Sequence, residues 1–397
     1  MSVIDNLLNC YQKVFNKGIR KIRRKRNILL YCASDTMIWH ILNYYEQVKD
    51  DTSYCFYLYY GDTKTSLEAR SQRSKEICED RNITPIINKK KLVLTPLDLI
   101  VTADLDYEPL RYSKEVVPIL YVNHGFHIVS IDNEKNLYAY GKGALNNWGE
   151  GKFSCILESN KRIANEMNKR EPFKGLVRYV GAKDGDLIES EVNNYNIYRR
   201  KLGIKDEETL VCIFGTWRKE SLFQYLGREF LETLGELTNE GYRFILSIHP
   251  REYTQYDTEI EPMGPVLDEY AKKYDFIIRD PKSSYIPYLI ASDIVISDYT
   301  SLYENALLAR KKLIFSYFPD SSVGELSIAN VLKDEIRVIK KEDIPNLHKY
   351  LKETQELDFD EVFDKYRQEI YEGKGIYKKR VNCITKELTG LKGEEDW

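Results

Sequence analysis

Short apolar runs that end in small or polar residues, each followed by a charged helical stretch, recur along the whole chain. In the first half they are Asn27–Ser34 (NILLYCAS), Tyr54–Tyr60 (YCFYLYY), Leu97–Thr102 (LDLIVT) and Pro118–Asn123 (PILYVN). A short continuous apolar run bounded by turn signals reads as a strand buried on both faces. Charged helical stretches such as Ser66–Arg81 lie between them. That alternation is the signature of βαβ units and a parallel sheet. The second half repeats the design, with strands expected at Thr209–Gly215, Arg243–Ile248, Phe276–Arg279, Ile294–Ser297 and Lys312–Ser316. Helices are expected at Leu222–Asn239, Val266–Tyr274, Tyr285–Ala291, Ser301–Ala309 and Glu342–Thr354.

The fold class expected is therefore α/β, with two doubly wound Rossmann-like domains whose sheets face a central cleft. The chain divides, on this reading, into a basic amphipathic helix over residues 1–26, a first domain over 27–190, a second over 205–372 and a helix with a tail over 373–397. A polar, Asn-rich stretch within Gly181–Glu208 is expected to hold the break. Hydrophobic residues make up 43% of 397, enough for two cores.

Lys and Arg number 59 against 62 Asp and Glu, a net charge of −3. Without a pervasive positive field, the chain is not a general nucleic-acid binder. The seven cysteines are scattered and odd in number, so reduced cytosolic thiols are expected rather than a disulfide framework. The five histidines and the cysteines show no metal-ligand spacing, so no metal and no cofactor is expected. No apolar stretch reaches membrane-spanning length, and the start MSVIDNLLNC has no basic n-region.

The N-terminus carries one local cationic feature. Apolar residues from Val3 to Ile22 fall at three-four spacing, which predicts an amphipathic helix. It runs into Lys17–Arg26, with seven cations in ten residues. Either the helix packs on the first domain with a solvated basic end, or it lies on an anionic lipid leaflet.

Polar clusters stand immediately after expected strands, where a parallel sheet delivers functional groups. Asn123-His124-Gly125 follows PILYV, and an imidazole there suits general-base work near neutrality. Thr216-Trp217-Arg218 follows LVCIFG, and Arg218 can clamp phosphate oxygens. His249-Pro250 follows RFILSI. Ser297-Asp298-Tyr299-Thr300-Ser301 follows IVI and opens a helix. Thr300 and Ser301 either cap that helix or, with its N-terminal N–H groups, cradle a phosphate. Neither G-x-G-x-x-G nor a P-loop sequence is present.

Together, in order and spacing, these clusters resemble the CDP-glycerol glycerophosphotransferases of teichoic-acid and related capsule synthesis, which have the GT-B fold. The matching elements are His124-Gly125, Thr216-Trp217-Arg218, His249-Pro250, the block Ala291–Ser301, the strand Lys312–Phe315 and the segment Gly373–Val381. The sequence departs from the family pattern at Asn123, where Trp is usual, at Thr300, where Ser is usual, and in Val180–Asp184, which lacks the usual Pro-Arg.

The resemblance implies a first domain for the acceptor and a second for the nucleotide donor. It implies transfer of glycerol phosphate, or a related phosphopolyol, from a CDP-activated donor to an acceptor hydroxyl, with release of CMP. His124 and His249 would be catalytic. Arg218, Thr216, Thr300 and Ser301 would hold the donor phosphates, and Glu304 and Asn305 would reach the nucleotide. Gly125, Asp298 and Tyr299 would support them. The acceptor would be a lipid-linked or polymeric glycan, at the inner face of the cell membrane. Two alternatives stay open: a GT-B glycosyltransferase using a nucleotide sugar, and a non-catalytic membrane-docked scaffold.

Overall fold

The structure is a computed structural model, which describes residues 10–14, 18, 23–33, 35–61, 66–105, 114–123, 140, 144–145, 149–217, 219, 221–253, 260–280, 283–320 and 323–392. The chain forms two compact units, and the division falls between Lys183 and Asp184.

The first unit carries seven strands: β1 (Arg26–Cys32), β2 (Tyr54–Tyr60), β3 (Ile83–Pro85), β4 (Leu99–Thr102), β5 (Ile119–Val122), β6 (Cys155–Glu158) and β7 (Val177–Tyr179). They make one parallel sheet in the order β3-β2-β1-β4-β5-β6-β7. Ile28, Leu30, Leu58, Leu99 and Val101 are buried in its core. Strands of this kind can be apolar throughout because helices cover both faces. Polar caps start several of those helices: Ser66 Oγ accepts the Ala69 N–H, and Asn88 Oδ1 accepts that of Lys91.

The second unit carries β8 (Thr209–Gly215), β9 (Tyr242–Ile248), β10 (Ile277–Ile278), β11 (Ile294–Ser297), β12 (Lys312–Ser316) and β13 (Val338–Ile339). Its parallel sheet has the order β10-β9-β8-β11-β12-β13. The long helix Leu222–Leu237 buries Leu222, Phe223, Leu226, Phe230, Leu231 and Leu234 against it. Both sheets are doubly wound, with the order reversing beside the first strand of each.

Three boundaries differ from the sequence expectation. The break falls inside the expected stretch Gly181–Glu208, but earlier than the expected domain end at 190: residues from 185 on form the helices Gly185–Glu191 and Tyr195–Lys201 of the second unit. The reason is Arg199, which is 4% exposed and pairs with Asp293 at 2.8 Å. Its other terminal nitrogen donates to the carbonyls of Lys205 and Glu208. A cation this deep holds its helix to the sheet that neutralises it.

The helix Ile376–Thr389, expected as a separate tail, belongs to the first unit. Tyr377, Val381 and Ile384 enter that unit's core, and the Thr385 and Tyr44 hydroxyls share a hydrogen bond of 2.9 Å. Third, the basic run does not end where the fold begins. Arg26 is the first residue of β1, and Arg23 pairs with the buried Asp98 at 3.0 Å. The helix expected over Val3–Ile22 lies mostly outside the described residues. Residues 10–14 are helical, and Gln12 donates to the Thr95 carbonyl at 3.1 Å.

Among the described residues no helix is long and apolar enough to cross a membrane.

Candidate functional site

Parallel strands bring their C-terminal ends to one edge, and ligands bind there where the strand order reverses. In the second unit that reversal lies between β8 and β11. Asp298, the residue after β11, spans it. Its Oδ2 accepts the N–H of Thr216 at 2.8 Å and of Leu222 at 2.9 Å, and its Oδ1 accepts the N–H of Thr300 at 2.9 Å. Thr216 follows β8, Leu222 starts the next helix and Thr300 follows β11, so one carboxylate fixes both sides of the crevice. Burial pushes Asp298 up to about 6 against the pull of those three donors.

Gly215, the last residue of β8, lets the Phe223 ring approach the backbone here. A Cβ at this position would lie 2.6 Å from the Phe223 ring. Beyond it, the Trp217 and His249 rings lie 5.8 Å apart, tilted by 32°. The Arg251 guanidinium stands 4.2 Å over the Trp217 ring, and the Arg251 N–H donates to His249 Nδ1 at 3.2 Å. That bond leaves the proton of a neutral imidazole on Nε2. The structure thus gathers Thr216, Trp217, His249, Asp298 and Thr300 on one edge of one sheet.

Thr300 and Ser301 are partly exposed. Ser301 makes no side-chain capping bond to the helix Leu302–Leu308, so plain hydroxyl capping is not its role there. Tyr299 is buried edge-on to Phe318 at 5.7 Å. Glu304 and Asn305 are buried inside the unit. Glu304 accepts the Tyr303 hydroxyl at 2.9 Å, and the Asn305 Oδ1 is buried with no hydrogen-bond partner among the described residues. Arg218 lies outside the described residues, as do His124 and Gly125 in the first unit.

The residue before His124 is described. Asn123 Nδ2 donates to Glu158 Oε2 at 3.0 Å, and the Tyr140 hydroxyl donates to the same oxygen at 2.7 Å. The Asn160 N–H reaches Oε1 at 3.0 Å. Burial raises the Glu158 carboxyl while these donors lower it. Asn123, in place of the usual Trp, is thus half of a buried polar pair at the ends of β5 and β6.

Sequence reasoning missed Glu158, Arg251 and Arg279. Arg279 follows β10 on the same edge as His249. The signal was available, since the expected strand Phe276–Arg279 ends in that cation just as other strands end in His249 and Asp298. Among the described residues no group of three or more His, Cys, Asp or Glu side chains is placed to hold a metal ion.

Residues 183–323 match the family model of CDP-Glycerol:Poly(glycerophosphate) glycerophosphotransferase, a segment that includes the whole second-unit edge described above. Over that segment the chain is similar to the glycerophosphotransferase family. No curated protein sequence matches it. Among solved structures, a histidine-to-alanine variant of the wall teichoic acid polymerase TagF is similar at 14% identity and TM-score 0.62, covering 98% of this chain and 99% of that one. A TagF variant soaked with CDPG is similar at 12% identity and TM-score 0.62, with the same coverage. MnaA of S. aureus with UDP is similar at 12% identity and TM-score 0.60, covering 94% and 100%. At such identities the likeness establishes the fold, two Rossmann-like units of GT-B type. Each unit is thus built on a parallel sheet, as the alternation of strands and helices predicted.

Proposed function

We propose that the chain transfers glycerol phosphate, or a related phosphopolyol, from a CDP-activated donor to an acceptor hydroxyl in teichoic-acid-like polymer synthesis, and releases CMP. One observation carries the reading: the family match includes the whole row of strand ends from Thr216 through His249 to Ser301. The soak of a TagF variant with CDPG supports the same donor class.

In this reading the acceptor oxygen bonds to the phosphorus that bears glycerol. The bridging P–O bond breaks, CMP leaves, and the hydroxyl proton passes to a base. Such reactions are catalysed chiefly by positioning and by neutralising charge on the phosphoryl oxygens. Arg218, Thr216, Thr300 and Ser301 take that part. His124 is the base, and His249 contacts the donor phosphates or protonates the leaving phosphate. Asp298 acts through the backbone, setting Thr216 and Thr300. The cations of Lys17–Arg26 other than Arg23 and Arg26 support docking on an anionic inner leaflet, near a lipid-linked or polymeric glycan acceptor.

The test is CMP release from CDP-glycerol by the purified chain in the presence of a glycerol-phosphate-primed acceptor. His124→Ala is expected to abolish turnover while CDP-glycerol still raises the melting temperature by mass action. Turnover near the wild-type rate in that variant would remove His124 from the mechanism. The fold shared with MnaA, solved with UDP, supports a competing nucleotide-sugar reading. UDP release with sugar incorporation would establish it instead.

A further inference from the structure

Arg279 is a cation held at the second unit's ligand-binding edge by neutral acceptors alone, with the Asp280 carboxylate acting on it only through space. Its N–H joins the sheet through the Leu246 carbonyl at 3.0 Å. Its Nε donates to Ser247 Oγ at 2.7 Å, and Ser247 is buried two residues before His249. Its Nη1 donates to the carbonyls of Asp280 at 3.1 Å and Ser283 at 2.7 Å. Those bonds use the Nε–H and both N–H groups of Nη1. A guanidinium has five N–H donors, so Nη2 keeps two more, and neither has a hydrogen-bond acceptor among the described residues.

Every acceptor of Arg279 is neutral. The unit's other well-held arginines have acids: Arg199 has Asp293, Arg243 has Asp275, and Arg310 has both Asp360 and Asp364. Arg279 forms no ion pair among the described residues, even with its neighbour Asp280. Burial works against its charge, lowering its proton affinity, yet a guanidinium stays ionised. Asp280 offsets part of this through space without touching the guanidinium, and a cation drawn partly out of water with no anion in contact is costly unless one completes it. The three bonds hold this one rigid, so little side-chain entropy remains to be lost on binding.

We propose that Arg279 is a phosphate-binding residue, whose Nη2 takes the oxygens of a phosphate-bearing ligand on the same edge as His249 and Thr216. The phosphate comes either from the diphosphate of the activated donor or from the phosphodiester chain of the growing polymer. The proposal deepens the reading given above and rests on it for the nature of the ligand.

Titration calorimetry of the full chain, Arg279→Gln and Arg279→Lys at fixed ionic strength tests this with three probes: CDP-glycerol, a short poly(glycerol phosphate) and inorganic pyrophosphate. Arg279→Gln is expected to raise Kd by about 10- to 100-fold, the range for a charge-assisted bond. Loss for CDP-glycerol assigns the donor phosphates, and loss confined to the polymer assigns the acceptor chain. Pyrophosphate binding that is lost in Arg279→Gln, with no response of any form to the other two probes, keeps the phosphate site and removes the glycerol reading. Undiminished binding of all probes by a folded Arg279→Gln overturns the proposal and leaves Arg279 as a tie for its own turn, and a wild type that binds none of the probes overturns it too. Should Arg279→Gln fail to fold, Arg279→Lys decides, because a point charge without the fork is expected to bind about 10-fold more weakly. Wild-type affinity in Arg279→Lys also overturns the proposal.

Discussion

A carboxylate that accepts three backbone N–H groups cannot be exchanged for an amide without reversing the polarity of one of its two ends. Asp298→Asn therefore leaves either the pair from Thr216 and Leu222 or the one from Thr300 facing an NH2 group. The expected cost is about 1–3 kcal/mol at pH 7, read from urea unfolding. The same residue sets a pH dependence. Burial raises it from 3.8 to about 6, so between those values the folded chain holds a proton that the unfolded chain has released. Stability from this group is full below about 4, falls as the pH rises toward 6, and is level above. Unfolding measured at pH 4, 5, 6 and 7 should show that slope in the parent and not in Asp298→Asn. Equal slopes would mean that another group titrates. His249, Thr216 and Asp298 were legible in the sequence because each directly follows a strong apolar run. Glu158 and Arg279 end shorter runs. What distinguishes Glu158 is its partners far away in the chain, Asn123 and Tyr140, and what distinguishes Arg279 is that every acceptor it bonds is neutral.

At the scale of elements, the turn from β8 into the helix Leu222–Leu237 depends on a missing side chain. Gly215→Ala would put a Cβ 2.6 Å from the Phe223 ring, and Phe223 is fixed within the core. The ring must shift, at about 1–3 kcal/mol, and Thr216 with it. Both a lower Tm and a weaker response to CDP-glycerol are expected. A Tm within a degree of the parent would show that the ring has room. The long strands were readable to within a residue or two, and β2, β8, β11 and β12 stand where their apolar runs predict. Four strands were not foreseen: β3, β6, β7 and β13, of two to four residues each. A segment that short, foreseen like β10 or unforeseen like β13, has too little length to declare itself by periodicity alone. It becomes a strand because a neighbour offers a ladder, as β12 does for β13 through Phe315 and Val338.

For the whole molecule, the chain leaves the first unit at Lys183 and supplies it again from Gly375. No local pattern announces such a return, since the apolar face of Ile376–Thr389 would suit any core. Three buried side chains from that helix, Tyr377, Val381 and Ile384, contribute at about 1.5–3 kcal/mol each. Their sum is comparable to the whole stability of a typical domain. Removing residues 376–397 should therefore unfold the first unit selectively. Hydrogen exchange read by mass spectrometry should show protection lost over β1, β2 and the helix Asp35–Val48, and kept over Asp184–Lys374. Retained protection in β1 would mean that the first sheet is self-sufficient.

That return of the chain also orders events during synthesis. A nascent polypeptide emerges from its N-terminus, and domains generally settle in that direction. Here the earlier half must wait, its hydrophobic interior unsealed, until Thr389 has cleared the ribosome, while Asp184–Lys374 is already complete. The half made first is the half finished last, and for the time it takes to translate the intervening residues its open core is the part of the molecule most in need of a chaperone.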